Sequence, residues 1–121
     1  MVKRLLKVEV ADTPFKHQRG LMFRNKLREN DGMLFKFKYP QNLRFWGLNT
    51  YIPLAIAFVS SDRKIRKIDF ISPCSEKVVT SDYDCELAIE ANYDFFERNR
   101  INIGDQISLF EDGNNTYIKF E

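Results

Sequence analysis

The chain has little of what recognisable catalytic and metal centres are built from. Its 121 residues include one histidine, His17, and two cysteines, Cys74 and Cys85. A single imidazole, with no cysteine or second histidine at ligand spacing, excludes an all-nitrogen zinc site. Ser-His-Asp or Cys-His catalysis would have to bring His17 to the nucleophile from distant segments. The cysteine spacing matches no zinc or redox motif, so two reduced, partly buried thiols are expected. Long apolar runs are also missing: Tyr51 to Val59 is about half of the roughly 20 residues a membrane helix needs. Met1 to Lys7 has a basic start but neither a signal-peptide apolar core nor a small-residue cleavage site, and a cytoplasmic location is expected. Charge of one sign is lacking too. With 19 basic and 17 acidic residues the net charge is +2, so attraction to phosphate must come from local clusters.

What is present is aromatic and β-rich. Eleven Phe, five Tyr and a hydrophobic share of 44% exclude a disordered chain. The length suits one domain over residues 1–121, burying about two-thirds of the extended chain's surface. Leu6, Val8 and Val10 alternate with Lys7 and Glu9, predicting a half-buried first strand. Thr13-Pro14 supplies an N-cap and first-turn proline for a short helix placing Phe15 and Met22 on one face. Asp31-Gly32 reads as a turn, followed by a strand from Met33 that Tyr39-Pro40 ends. Leu54 to Val59 is apolar on both parities, as in a strand covered on both faces. The turn Ser60 to Arg63 pairs it with Ile65 to Ile71 as an antiparallel hairpin. After a polar loop around Ser75 to Asp84, Cys85, Leu87 and Ile89 alternate with Glu86, Ala88 and Glu90. Asn92 is read as capping a brief helix with Phe95 and Phe96, and the turn at Asp112-Gly113-Asn114-Asn115 makes a closing hairpin. The predicted fold is mainly β, α+β at the margins: a single jelly-roll-like antiparallel β-sandwich or barrel with two short helices.

Four segments carry a family resemblance. They are V-E-V-A-D-T-P with R-G-L-M-F-R between Val8 and Arg24, G-M-L-F-K-F from Gly32 to Phe37, F-W-G-L-N-T-Y-I-P-L-A-I-A-F-V-S-S-D from Phe45 to Asp62, and E-A-N-Y-D-F-F-E-R-N-R-I-N-I-G-D from Glu90 to Asp105. Together they resemble the DUF192 family, also called UPF0127, over nearly the whole chain. The resemblance implies a small jelly-roll-like β-sandwich with short helices, found in bacteria, archaea and some viruses, with no established biochemical activity. The chain departs from the family pattern at Gly47, where Met is common, and at Ala55, where Asp is usual. An aspartate at the mouth of a sandwich can act as acid, base or cation ligand, and alanine cannot.

Trp46, Asn49 and Thr50 combine an indole N–H, an amide and a hydroxyl beside an apolar face, the makeup of a small-ligand pocket. The alternative is a core tryptophan with Asn49 and Thr50 hydrogen-bonded to the local backbone ahead of Pro53. Arg24 or Arg19 could clamp a carboxylate or phosphate, or instead lie over aromatic surface or pair with an acid such as Asp12 or Asp31. Asp82, Asp84 and Glu86 form an alternating acidic row that reads as a solvated face rather than a cation site. Lys36, Lys38 and Arg44 interleave with Phe37, Tyr39, Phe45 and Trp46, the composition of a single-strand stacking platform, against which the even charge balance weighs. The resulting expectation is a small binding or accessory domain with no cofactor, no metal and no catalytic residue. Its partner is expected to be an unidentified small molecule or a protein, not a membrane, with oligomeric state open. The alternatives are a degenerate or unrecognised enzyme and a single-stranded nucleic-acid-binding module.

Overall fold

In a computed structural model describing residues 4–121, the predicted runs become β1 (Leu5–Ala11), α1 (Pro14–Arg19), β2 (Asp31–Phe45), β3 (Leu54–Val59), β4 (Ile65–Ile71), β5 (Val79–Asn92), α2 (Phe95–Arg98), β6 (Ile107–Asp112) and β7 (Asn115–Phe120). Residues 1–3, part of the basic start read for a leader, lie outside the described residues. The strands form one seven-stranded sheet in the order β4-β3-β5-β2-β1-β7-β6. The sheet does not close into a barrel and gives a mainly β, sandwich-like fold. An isolated bridge, Lys64 with Gln106, links the segments just ahead of the two edge strands. No helix among the described residues is long and apolar enough to cross a membrane.

The sheet is not wholly antiparallel as expected. β1 and β2 run parallel, with Val8 beside Gly32 and Val10 beside Leu34. The segment between them, α1 and the loop after it, is long enough to return the chain to the same end of the sheet. β3 is buried at every position and lies between β4 and β5. Its residues alternate between two cores: Ala55, Ala57 and Val59 join Leu34, Ile89, Phe95 and Phe120 on one face, and Leu54, Ile56 and Phe58 join Phe35, Leu21 and Ala88 on the other. Two covered faces are why this strand is apolar on both parities.

Several boundaries differ from the sequence reading. Pro40 does not end its strand, because pairing with β5 shifts register between Lys36 and Gln41 and the irregularity accommodates a residue without an N–H. Asp31-Gly32 opens β2 rather than forming a turn. A Cβ at Gly32 would lie 2.3 Å from the Glu90 carbonyl oxygen, so glycine permits close strand approach there. β5 begins at Val79, inside the stretch read as a polar loop. Asn92 ends β5, its Nδ2 donating to the Leu27 and Arg28 carbonyls at 3.0 Å, and Asp94 occupies the N-cap position of α2. The cap of α1 is as predicted, with Thr13 Oγ1 accepting from Lys16 N at 3.2 Å. Gly20 enters the left-handed region at φ 48°, so the helix stops at Arg19 and Met22 falls outside it.

Candidate functional site

A cavity of about 130 Å³ lies between α1, β2 and the loop after β2. His17, Gln18 and Arg19 reach it from α1, Phe35, Arg44 and Phe45 from β2, Trp46 and Thr50 from the loop, and Glu90 from β5. The loop is held by backbone hydrogen bonds on both sides. Gly47 N donates to Ser75 O at 2.9 Å, Cys74 N to Thr50 O at 2.9 Å, and Phe23 N to Asn49 O at 2.8 Å. A Cβ at Gly47 would stand 2.2 Å from Ser72 O, so glycine lets this loop lie against the 72–75 turn. Asn49 adopts φ 55°, a conformation asparagine tolerates better than most residues.

Of the residues singled out in the sequence, Arg19, Trp46 and Thr50 line this cavity, and Asn49 and Arg24 do not. Trp46 is 45% exposed, so it forms the rim and does not fill the core. Thr50 is buried, and its hydroxyl donates to Leu48 O at 3.3 Å, the local satisfaction foreseen as the alternative. Asn49 acts through its backbone in the loop. Arg24 makes a two-pronged ion pair with Glu9, one contact being Nη2 to Oε1 at 2.9 Å. That guanidinium holds the Glu9 carboxyl below its ordinary range, and Glu9 in turn raises Arg24. Asp12 and Asp31 are not its partners. Arg19 lies over the Phe23 ring at 5.6 Å, the aromatic-surface option.

His17 is better placed than a surface histidine. Its ring stacks on Phe37 at 4.1 Å, and Nε2 lies 2.7 Å from the Lys36 carbonyl oxygen. A carbonyl only accepts, so Nε2 carries a hydrogen and Nδ1 is the acceptor of the neutral ring.

The residue that decides the character of the cavity is Glu90, which the sequence reading noted only as alternating with Cys85, Leu87 and Ile89. It is 4% exposed and makes no hydrogen bond or ion pair among the described residues. Burial alone pushes its carboxyl up to about 8, with no cation offsetting the desolvation. The period-two pattern marks the strand correctly, but β5 lies between β2 and β3 with a core on each face at Leu87 to Ala91, so both parities are buried there. Glu90 sits between Met33 and Ile56 across the strands, beneath α1 and the Trp46 loop. The signal available in the sequence was Leu87 to Ala91, a small and apolar run interrupted by one acid.

A larger groove of about 420 Å³ runs beside β1, lined by Lys7, Asp31, Asn114 and Thr116 among others, but it contains no buried polar side chain without a partner. Two members of the acidic row around Cys85 have local partners: Asp82 pairs with Lys67 at 2.7 Å and Glu86 accepts from Ser61 Oγ at 2.5 Å. Among the described residues no group of three or more His, Cys, Asp or Glu side chains is arranged to hold a metal ion.

Residues 2–109 match the family model DUF192, described as "Uncharacterized ACR". The chain belongs to the DUF192 family. Two solved structures share this fold closely. A protein named "putative transcription regulator" from Sinorhizobium meliloti 1021 is 34% identical with a TM-score of 0.81, covering 84% of this chain and 79% of its own. A protein of unknown function from Novosphingobium aromaticivorans DSM 12444 is 33% identical with a TM-score of 0.81, covering 84% of this chain and 73% of its own. No curated protein matches the chain.

Ala55, where the family resemblance implies an aspartate, is not at a mouth of the sandwich. It is buried in the apolar cluster with Ala57, Ile89, Ala91 and Phe95. Because Ile56 pairs with Glu90 and Ala55 with Ala91, position 55 faces the opposite side of the sheet from the cavity. A carboxylate there would not join Glu90.

Proposed function

We propose that this DUF192 protein is a small-ligand-binding domain whose site is the cavity under Trp46, with Glu90 at its floor. The observation that carries the reading is a carboxyl almost wholly buried, without a protein partner, lining a cavity rimmed by an indole. Burying such a group unpaired costs several kcal/mol, and folds retain that expense mainly at functional sites. The Thr50 hydroxyl donates to the Leu48 carbonyl and His17 Nε2 faces the Lys36 carbonyl, so neither is engaged in a nucleophile–base pair, which favours a binding or accessory role over turnover. A cytosolic workplace fits the two free thiols, Cys74 and Cys85.

The nucleic-acid alternative is weakened by one contact. Phe37, the centre of the basic-aromatic stretch, is stacked on His17 and is not free to stack a base. The regulator name belongs to the Sinorhizobium protein.

The test is a thermal-shift screen of compact metabolites, repeated on Trp46→Ala, an exposed position at which truncation leaves the core intact. A ligand at 100 times its Kd stabilises the native state by about 2.7 kcal/mol. The expected result is a shift in the wild type that Trp46→Ala reduces or abolishes. Equal shifts in both proteins would place the ligand elsewhere.

A further inference from the structure

We propose, building on the small-ligand reading above, that the ligand of this cavity is a compact oxyanion, a molecule carrying a carboxylate or phosphate group, held between Arg19, Arg44 and the buried carboxyl of Glu90.

Three observations converge on this chemistry. First, the Glu90 carboxyl lines the cavity, is 4% exposed and makes no hydrogen bond or ion pair with another described residue; in the protonated form that its burial favours it has one O–H to donate. An oxygen of a ligand in the cavity can accept that hydrogen. Second, Arg19 and Arg44 line the same cavity and neither forms an ion pair with a described carboxylate, Arg19 lying over the Phe23 ring. With Glu90 neutral, the charge facing the cavity is positive, which disfavours a cationic ligand and favours an anion. Third, neither guanidinium pairs with Glu90 itself, so the acid and the arginines do not satisfy one another and a ligand between them can engage both.

The titratable and charged groups around Glu90 are few. From α1 come His17 and Arg19, and from β2 comes Arg44. Along its own pleat, Met33 separates it from Glu9 on β1, and Ile56 separates it from Asp69 on β4. Glu9 is held by Arg24 and Asp69 by Lys67 at 3.5 Å, so neither supplies a free negative charge. Ionisation of Glu90 is then the event that turns this site against an anion. Below its titration the acid donates to the ligand, and above it the carboxylate repels it. A bound oxyanion correspondingly holds the proton on Glu90 more tightly, by thermodynamic linkage.

The experiment is calorimetry with acetate, a small 2-oxo acid and inorganic phosphate, against glycerol, glucose and ethanolamine, at pH 7.0 and 9.5, on the wild type, Glu90→Gln and Arg44→Ala. The carboxylate and phosphate arms distinguish which oxyanion the site takes. One required proton on a group titrating near 8 predicts that wild-type affinity falls about 30-fold between the two pH values. Glu90→Gln keeps an N–H donor that cannot ionise, so it binds at pH 7.0 and loses less than about threefold at pH 9.5. Arg44→Ala, at an exposed position, retains the fold and weakens oxyanion binding at least about tenfold. If Glu90→Gln shows the same alkaline loss as the wild type, or Arg44→Ala binds as tightly, the assignment is overturned. Binding of glycerol, glucose or ethanolamine but of no oxyanion overturns the oxyanion assignment and leaves the small-ligand reading standing. No binding by any probe at millimolar concentration overturns both.

Discussion

Replacing Glu90 by glutamine removes an ionisable group while keeping its shape, which isolates what that group does to stability. Its folded value of about 8 lies above the unfolded value near 4.5, so the fold favours the protonated form. The sign follows directly: this contribution is fully present below about pH 4.5 and is lost as pH rises toward 8. At 1.36 kcal/mol per pKa unit, the whole shift is worth on the order of 5 kcal/mol, a large share of the 5–15 kcal/mol that stabilises an ordinary domain. Between pH 5.5 and 8.5 the wild type is expected to lose about 3 kcal/mol relative to Glu90→Gln. Urea unfolding followed by far-ultraviolet circular dichroism measures both proteins at pH 5.5, 7.0 and 8.5. Glu9, Asp62 and Asp82, held low by their partners, and Cys85, raised by burial, titrate alike in both proteins and cancel in the difference. Stability curves that run parallel within about 0.5 kcal/mol would refute the reasoning, because they would mean that Glu90 is ionised in the fold at an ordinary pKa.

Ala55→Asp places a carboxylate in a dry apolar cluster on the face opposite the cavity, so it is expected to cost at least about 3 kcal/mol in urea unfolding and to confer no metal-dependent stabilisation. A gain of thermal stability on adding a divalent cation would contradict that placement. Gly47→Ala drives a Cβ to within 2.2 Å of Ser72 O, and a melting-temperature loss equivalent to about 1–3 kcal/mol is expected. An unchanged melting temperature would show that the Trp46 loop does not lie against the 72–75 turn.

Much of the fold is legible in the chain because local patterns and tertiary packing agree there. Leu54 to Val59 reads as a doubly covered strand and is one, and the turns at Ser60 to Arg63 and around Gly113 make the hairpins their residues favour. The parallel pairing of β1 with β2 was hidden, since nothing local reports which strand the chain returns to after a crossover. Pro40 misled because a register shift in β2 absorbs the donor that proline lacks. The candidate site divides in the same way. Trp46, Thr50 and Arg19 announce themselves by residue type, and the structure brings them to one cavity. Arg24 has the same chemistry but meets Glu9, a partner visible only once β1 lies beside its loop. Glu90 was concealed by its own neighbours: Glu86, Ala88 and Glu90 fall on one parity, and only the central position of β5 distinguishes the exposed end of that row from the buried one. DUF192 membership adds the family.

The most direct test of the account is a carbon-13 NMR titration of the Glu90 side-chain carboxyl in the ligand-free protein, assigned by its disappearance in Glu90→Gln. A buried acid without a protein partner predicts a midpoint near pH 8. A midpoint between about 4 and 5, the range of an exposed glutamate, would contradict it and remove the ground for a ligand site beneath Trp46.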